Sequence, residues 1–393
     1  MFDEGLLAQR LISYDTSRPE ELLAAAGFVQ GWLESRDVAV HCHDHRGLPV
    51  LVAEVGASSR VADATCVVLH GHIDVVPGKR EQFEPCVQGD RLIGRGAYDM
   101  KGALAAMMCV LKDVEHQERV RVRLVCVPDE ESDERDERST DAIVKLGLGG
   151  DFAITGEPTN LQIGVQAKGV LVMSIEVHGR AAHSSTPWLG DNAVLKAVDV
   201  FRAIEALPFT RESSECFDRP SVNLGRIRGG EALNMVPDRC TMAVDVRHLP
   251  GQDPDAILAQ VRGIEGIEVT RTFIHPPVSV PARQPFVRTL RDAVAGCVPE
   301  MEILSVARDG ASDAAAFLTA GIPAVELGPA GAGHHGPAEW VSLSSLARYR
   351  RALGAFIRAL ATPLQEGPRE LRPRPGEAPA RRSVPAAIGA ALR

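Results

Sequence analysis

The sequence predicts an α/β fold, a mixed and mostly parallel sheet flanked by helices, interrupted by a smaller α+β insertion. Three observations predict it. Short β-rich runs alternate with helical patterns over the first 168 residues. From about residue 169 the strands alternate apolar with polar residues, as half-exposed antiparallel strands do. From about 283 the first style returns.

The elements follow in order. Residues 4–35 are helical by the spacing of Leu6, Leu7 and Leu11, then Leu22, Leu23, Phe28, Trp32 and Leu33. "VLVAEVG" and "TCVVLHGHIDVVP" are strands ending in turn residues. "DMKGALAAMMCVLKDV" is an Ala/Met/Leu-rich helix, "RVRVRLVCVP" a strand and "DFAITGEPT" a strand with its loop. The insertion reads as strand "GVLVMSIEVHG", helix "NAVLKAVDVFRAIEAL", strands "PSVNLGRIRGG" and "CTMAVDVRHLP", and helix "PDAILAQVRGI". "PFVRTLRDAVAGCV", "DAAAFLTAG", "IPAVELGP" and "LSSLARYRRALGAFIRAL" complete the α/β part. The division is 1–168 with 283–362, an insertion at 169–282, and a Pro/Arg/Ala-rich tail at 363–393 whose composition predicts disorder.

A net charge of −9 argues against a nucleic-acid partner, which needs a basic surface. No run approaches the length of a membrane span, and the acidic N-terminus lacks the pattern of a signal peptide. The eight cysteines show no CxxC pair and no framework spacing, which points to reduced thiols in the cytoplasm.

Chemistry-bearing residues recur at strand ends, where open α/β sheets bind ligands. "LHGHIDVVP" places His72 and Asp74 on one side of an extended segment, so His72 can ligate a metal while Asp74 accepts from its other ring nitrogen. "GRGAYDMKGA" sets Asp99 before a helix; taken alone it reads as an N-cap. "VPDEES" supplies adjacent Glu130 and Glu131, whose mutual repulsion a nearby dication would remove. "TGEPT" offers Glu157, and "GHHGPAEW" offers His334 and His335. "HCHDH" at 41–45 looks more metal-like locally but lies away from such strand ends, so it reads as surface histidine. Beyond Glu131 the run "SDERDERST" reads as ordinary solvated surface, with Asp129 shaping the turn. Mixed His/carboxylate ligation at successive strand ends suits zinc, and a bridging carboxylate would build a two-metal hydrolytic centre.

Taken together, "HGHIDVVP", "GRGAYDMKG", "DEES", "GEPT", "GRAAHSSTP", "NMVP" and "GHHGPAEWV" resemble, in order, the aminoacylase/carboxypeptidase family of dizinc hydrolases. That family includes acetylornithine deacetylase and succinyl-diaminopimelate desuccinylase. The resemblance covers residues 1 to about 362 and implies a zinc-peptidase-like catalytic domain with a lid and dimerisation insertion.

It implies two Zn²⁺ per chain, with Co²⁺ or Mn²⁺ as alternatives. One would be held by His72 and Glu157, the other by Glu131 and His335, with Asp99 bridging. His335 is preferred to His334 because an acid, Glu339, follows it by four positions. Glu130 is implied as general base to a water bridging the two zincs, and Asp74 as the residue orienting His72. His183 is implied as an oxyanion donor to the neighbouring subunit of a homodimer. Asn234, Arg247, Gly310 and Ser312 are implied as substrate-binding, although the family more often has Thr at the last position.

The implied reaction is hydrolysis of the amide of a small N-acyl amino acid. A carboxypeptidase or dipeptidase is the alternative, and a metal-free binding protein a remoter one. The family usually follows its Glu-Glu pair with a glycine-bearing turn. Here that turn is densely charged, which puts the local loop shape in doubt.

Overall fold

The computed structural model describes residues 3–58, 61, 64–132 and 137–362. The predicted tail therefore lies outside the described residues, as do 133–136 of the charged run.

Among the described residues the main sheet has nine strands. Its path is Val40–His45, Leu48–Gly56, Val120–Val127, Thr65–His72, Phe152–Thr155, Ala324–Glu326, Ile163–Ala167 and Val278–Ser279, with Ser305–Arg308 paired to Ile163–Ala167. The four strands from Val120–Val127 to Ala324–Glu326 are mutually parallel, and antiparallel pairs flank them. This is the expected mixed α/β sheet. Its central strands are near-continuous apolar runs because helices cover them.

Register decides where the chemistry falls. His72 lies opposite Val127, His70 opposite Thr155, and Thr155 opposite Glu326. The parallel strands thus end flush at one edge, and the residues just beyond them share it.

The helix Lys101–Asp113 is buried along almost its whole length and packs between the sheet and the helices Asp3–Ile12 and Leu343–Ala361. Two glycines let its start approach the strand ends. A Cβ at Gly71 would stand 2.8 Å from Met100 Cε, and one at Gly156 2.3 Å from the same atom. Asp99, the residue before Met100, is thereby drawn to the sheet edge.

The insertion forms a separate antiparallel sheet, ordered Ser221–Gly229, Arg239–His248, Gly169–His178 and Ile267–His275. Its period-2 pattern buries Cys240, Met242, Val244 and Val246 on one face. The helix Ala193–Glu205 lays Ala193, Ala197, Val200 and Ile204 on that core. The fourth strand, Ile267–His275, was not read from sequence because its exposed middle carries little apolar signal.

A third, small sheet was also missed. It joins Gly331–Ala332, Trp340–Ser342, Arg91–Ile93 and Cys86–Gln88. Strands of two or three residues leave no readable period, yet this sheet brings the 333–339 loop to the 94–99 turn. Among the described residues no helix is long and apolar enough to cross a membrane.

Phe152 stacks on Phe286 at 4.9 Å between ring centroids and meets Phe356 at 5.8 Å, tying the central strand to two helices. Phe152→Ala is expected to cost about 3–5 kcal/mol, read as a lowered midpoint in chemical denaturation.

Candidate metal centre

His72 ends its strand fully buried, with Nδ1 3.0 Å from the carbonyl oxygen of Asp74 and 3.6 Å from Asp74 Oδ1. A carbonyl can only accept, so Nδ1 carries a proton, and Nε2 is the nitrogen turned toward Asp99, where a metal would take the place of its proton. The Asp74 carboxylate also accepts the backbone N–H groups of Glu130 at 3.2 Å and Glu131 at 2.8 Å. Asp74 therefore orients the Glu-Glu pair as well as lying beside His72.

His72 Nε2 faces Asp99 Oδ1 at 3.1 Å and Glu157 Oε1 at 3.8 Å. The other Asp99 oxygen, Oδ2, faces His334 Nε2 at 2.5 Å and His335 Nε2 at 3.3 Å. His335 Nε2 also lies 2.8 Å from Glu131 Oε1. Among the described residues three overlapping sets result whose donor atoms lie within 4.8 Å of one another: His72, Asp99 and Glu157; His72, Glu130 and Glu131; Asp99, His334 and His335. The sequence preference for His335 rested on spacing. In the fold both histidines reach Asp99, and His335 additionally reaches Glu131.

Glu339 explains that spacing in physical terms. Its buried carboxylate accepts from Arg95 Nη1 at 2.8 Å and from the backbone N–H groups of Gly96, Tyr98 and Asp99 at 2.9 to 3.0 Å. It is the template for the turn that carries Asp99. His335 sits in the left-handed region at φ 56°, following Gly333 at φ 84°; the glycine-rich sequence allows that tight reversal.

The electrostatics fit a cation. Burial, then the charge of Asp99, push the Glu157 carboxyl well up, while Arg308 works against them. Burial would also raise Asp99, but hydrogen bonds from His334, His335 and His72 hold it well below the carboxylate range. Asp99 and Glu131 drive His335 up to about 10. Burial pushes Glu130 to about 7 against the pull of Arg138. Carboxyls and imidazoles that crowd until some must hold protons form a site where a dication can replace those protons. The donor set, imidazole plus carboxylate, suits zinc.

Four residues that sequence reading missed complete the site. Arg308 Nη1 lies 3.3 Å from both Glu157 Oε2 and Glu326 Oε2. Glu326 had a signal: an acid closing the apolar strand of "IPAVELGP". Arg138 Nη1 pairs with Glu130 Oε1 at 2.8 Å and Asp313 Oδ1 at 3.1 Å. Arg138 thus departs from the solvated surface assigned to it, because two buried or half-buried carboxylates draw it inward. Glu137 does remain outside, paired with Lys145 and Arg46. Asp129 accepts from the Ser139 backbone and hydroxyl and shapes the turn beneath.

The remaining predicted residues lie outside the three sets. His183 is exposed, its Nδ1 2.8 Å from Ser185 Oγ. The exposed Asn234 accepts from the Ser184 N–H through its backbone oxygen. Arg247 forks onto Asp245 at 2.9 and 3.0 Å. All three belong to the insertion. Gly310 is exposed, and the buried Ser312 accepts at Oγ from Ala314 N–H and at its carbonyl from His275 Nε2. The histidines of "HCHDH" lie on the edge strand Val40–His45 and join none of the three sets.

The sequence pattern of peptidase family M20/M25/M40 matches residues 68–359. Acetylornithine deacetylase of Edwardsiella ictaluri is 30% identical over 317 residues, 74% of this chain and 79% of that protein. A probable succinyl-diaminopimelate desuccinylase of Staphylococcus aureus is 25% identical over 309 residues, 68% of this chain and 74% of that protein. Among solved structures, an M20 family metallo-carboxypeptidase from Sulfolobus solfataricus superposes with a TM-score of 0.75 at 19% identity, covering 92% of this chain and all of that one.

Two measurements test this geometry. Glu339→Gln leaves Arg95 buried beside a neutral side chain, and is expected to cost about 3–5 kcal/mol and to weaken zinc binding, read by denaturation and calorimetric titration. His70 is fully buried and donates through Nε2 to Thr140 Oγ1; burial lowers its pKa to about 4. An unfolded histidine titrates near 6.5, so the unfolded chain binds the extra proton between those values. This contribution is full above about pH 6.5 and is lost as pH falls towards 4. His70→Gln should lose about 2 kcal/mol less than wild type between pH 7 and 5 in equilibrium unfolding.

Proposed function

The chain belongs to peptidase family M20/M25/M40, and from that premise we propose that it hydrolyses the amide bond of a small N-acyl amino acid, in the manner of a deacetylase or desuccinylase. The observation that carries the reading is the split of Asp99. One oxygen faces His72 and the other faces His334 and His335, as a carboxylate shared by two cations requires.

In this reading His72 and Glu157 hold one divalent cation, Glu131 and His335 hold the other, and Asp99 serves both. Zinc suits the donors, with cobalt or manganese as alternatives. Such ions, when bound, supply Lewis acidity to the carbonyl and acidity to water.

The chain's own residues do the rest. Glu130 takes the proton of the attacking water and returns it to the leaving amine; its pKa near neutrality suits both halves of that task. Asp74 fixes the His72 tautomer through its carbonyl and aims both glutamates through their N–H groups. Arg247 pairs with the substrate carboxylate, exchanging it for Asp245. Asn234, Gly310 and Ser312 flank the substrate.

Residues 1–168 and 283–362 form the catalytic domain, and 169–282 a lid that also makes a homodimer. The lid carries His183 to the neighbouring subunit, where it donates to the developing oxyanion. The setting is the cytoplasm, in keeping with eight free cysteines. The deacetylase and desuccinylase among the curated relatives favour an N-acyl substrate over a peptide.

Zinc-loaded protein is expected to turn over acetyl, succinyl or formyl amino acids faster than dipeptides, and the reverse order would assign it as a peptidase. Chelation should abolish turnover, and metal analysis should return two ions per chain. Glu130→Gln should keep that metal and lose about 10²–10⁴-fold in kcat; full activity in this variant would remove Glu130 from its role.

A further inference from the structure

Arg138 stands where the family resemblance leads one to expect a glycine-bearing turn, and it does something specific. Its Nη1 bridges Glu130 Oε1 at 2.8 Å and Asp313 Oδ1 at 3.1 Å. The side chains of Arg138, Glu130 and Asp313 are 18%, 15% and 2% exposed. Asp313 is the deeper acid, and its second oxygen accepts from Thr140 Oγ1 with His70 Nε2 at 3.4 Å. Asp313 is therefore the fixed end of the bridge. Glu130 is the adjustable end: its backbone is held by Asp74, but its carboxylate is held through Arg138.

That hold matters because, even with the Arg138 contact in place, an oxygen of Glu130 lies within 4.8 Å of donor atoms of His72 and Glu131. With His72 and Glu131 it forms one of the three sets able to grip a cation. A carboxylate this close to a dication is attracted as a ligand, and a ligated Glu130 can no longer take a proton from water. A planar guanidinium anchored on a buried acid holds Oε1 and so resists a turn of the carboxylate into a ligating position.

We infer that Arg138 is a positioning residue that keeps Glu130 out of the metal's ligand set and so available as a base. The inference rests on the hydrolase reading above, and it also joins the base to the 309–313 loop, because Asp313 follows Ser312 directly.

The test uses full-length, zinc-loaded protein and the variants Arg138→Gln, Arg138→Lys, Asp313→Asn and Arg138→Gln/Glu130→Gln. Arg138→Gln should lower kcat roughly 10–100-fold with KM within about threefold. Its zinc should also pass to a chelator more slowly than wild-type zinc, since a ligand has been gained. Adding Glu130→Gln should return zinc release to the wild-type rate. Arg138→Lys should recover part of kcat, and Asp313→Asn should move kcat and zinc release in the same directions as Arg138→Gln. Should Arg138→Gln fail to fold, these last two variants carry the test.

Wild-type kcat in Arg138→Gln overturns the inference. So does a kcat loss with unchanged or faster zinc release, which would make Arg138 a support of the fold. A wild-type chain that hydrolyses no amide defeats the hydrolase reading instead, and the zinc-release comparison then still decides whether Arg138 restrains Glu130.

Discussion

Like-charge crowding is the constraint around which this molecule is organised. Parallel strands end at one edge, so acids placed after each strand meet there: Asp74, Glu130, Glu131, Glu157 and Glu326, with Asp99 brought in by a turn. Unit charges a few ångströms apart in a low-dielectric pocket repel by several kcal/mol unless something answers them. Three guanidiniums answer part of it from the periphery. Arg95 serves Glu339, Arg138 serves Glu130 and Asp313, and Arg308 serves Glu157 and Glu326. Among the described residues the centre of the cluster has no such cation of its own, only imidazoles on either side of Asp99. Arginines outside and histidines inside leave the middle to a dication.

The same constraint separates the two halves of the chemistry. The acids need rigid strand ends, and the main sheet supplies them. Recognition of a substrate needs groups that can approach and withdraw, and the candidates belong to the insertion: Arg247 on its sheet, His183 and Asn234 in its loops. Arg247 is already satisfied by Asp245, so an incoming carboxylate would replace an existing partner and would not fill an unmet charge. That exchange keeps the cost of binding low in both directions.

Legibility in the sequence followed periodicity and position. His72, Glu131 and Glu157 can be singled out because each closes or follows an element whose pattern is readable, whereas Asp99, set before its helix, reads alone as an N-cap and stands out only through the family resemblance. Arg138 and Arg308 cannot be singled out. A single arginine has no period, and which way it turns depends on acids that lie from 8 to 175 residues away along the chain. The strands at 86–93 and 331–342 were too short to carry alternation. Glu339 was noticed only as an interval after His335; its meaning, as the acceptor for three consecutive-turn N–H groups, exists only in the folded chain.

That last contact also sets an order of events. Glu339 reaches Asp99 and Arg95 across 240 and 244 residues, with the whole insertion threaded between. Closing so long a loop comes late, after the local pairings of either sheet. Until the 333–339 segment arrives, the N–H groups of Gly96, Tyr98 and Asp99 lack the carboxylate that fixes their turn. The cluster is therefore completed across a long span of the chain, and removing the 333–339 segment would leave the turn of Asp99 without its acceptor.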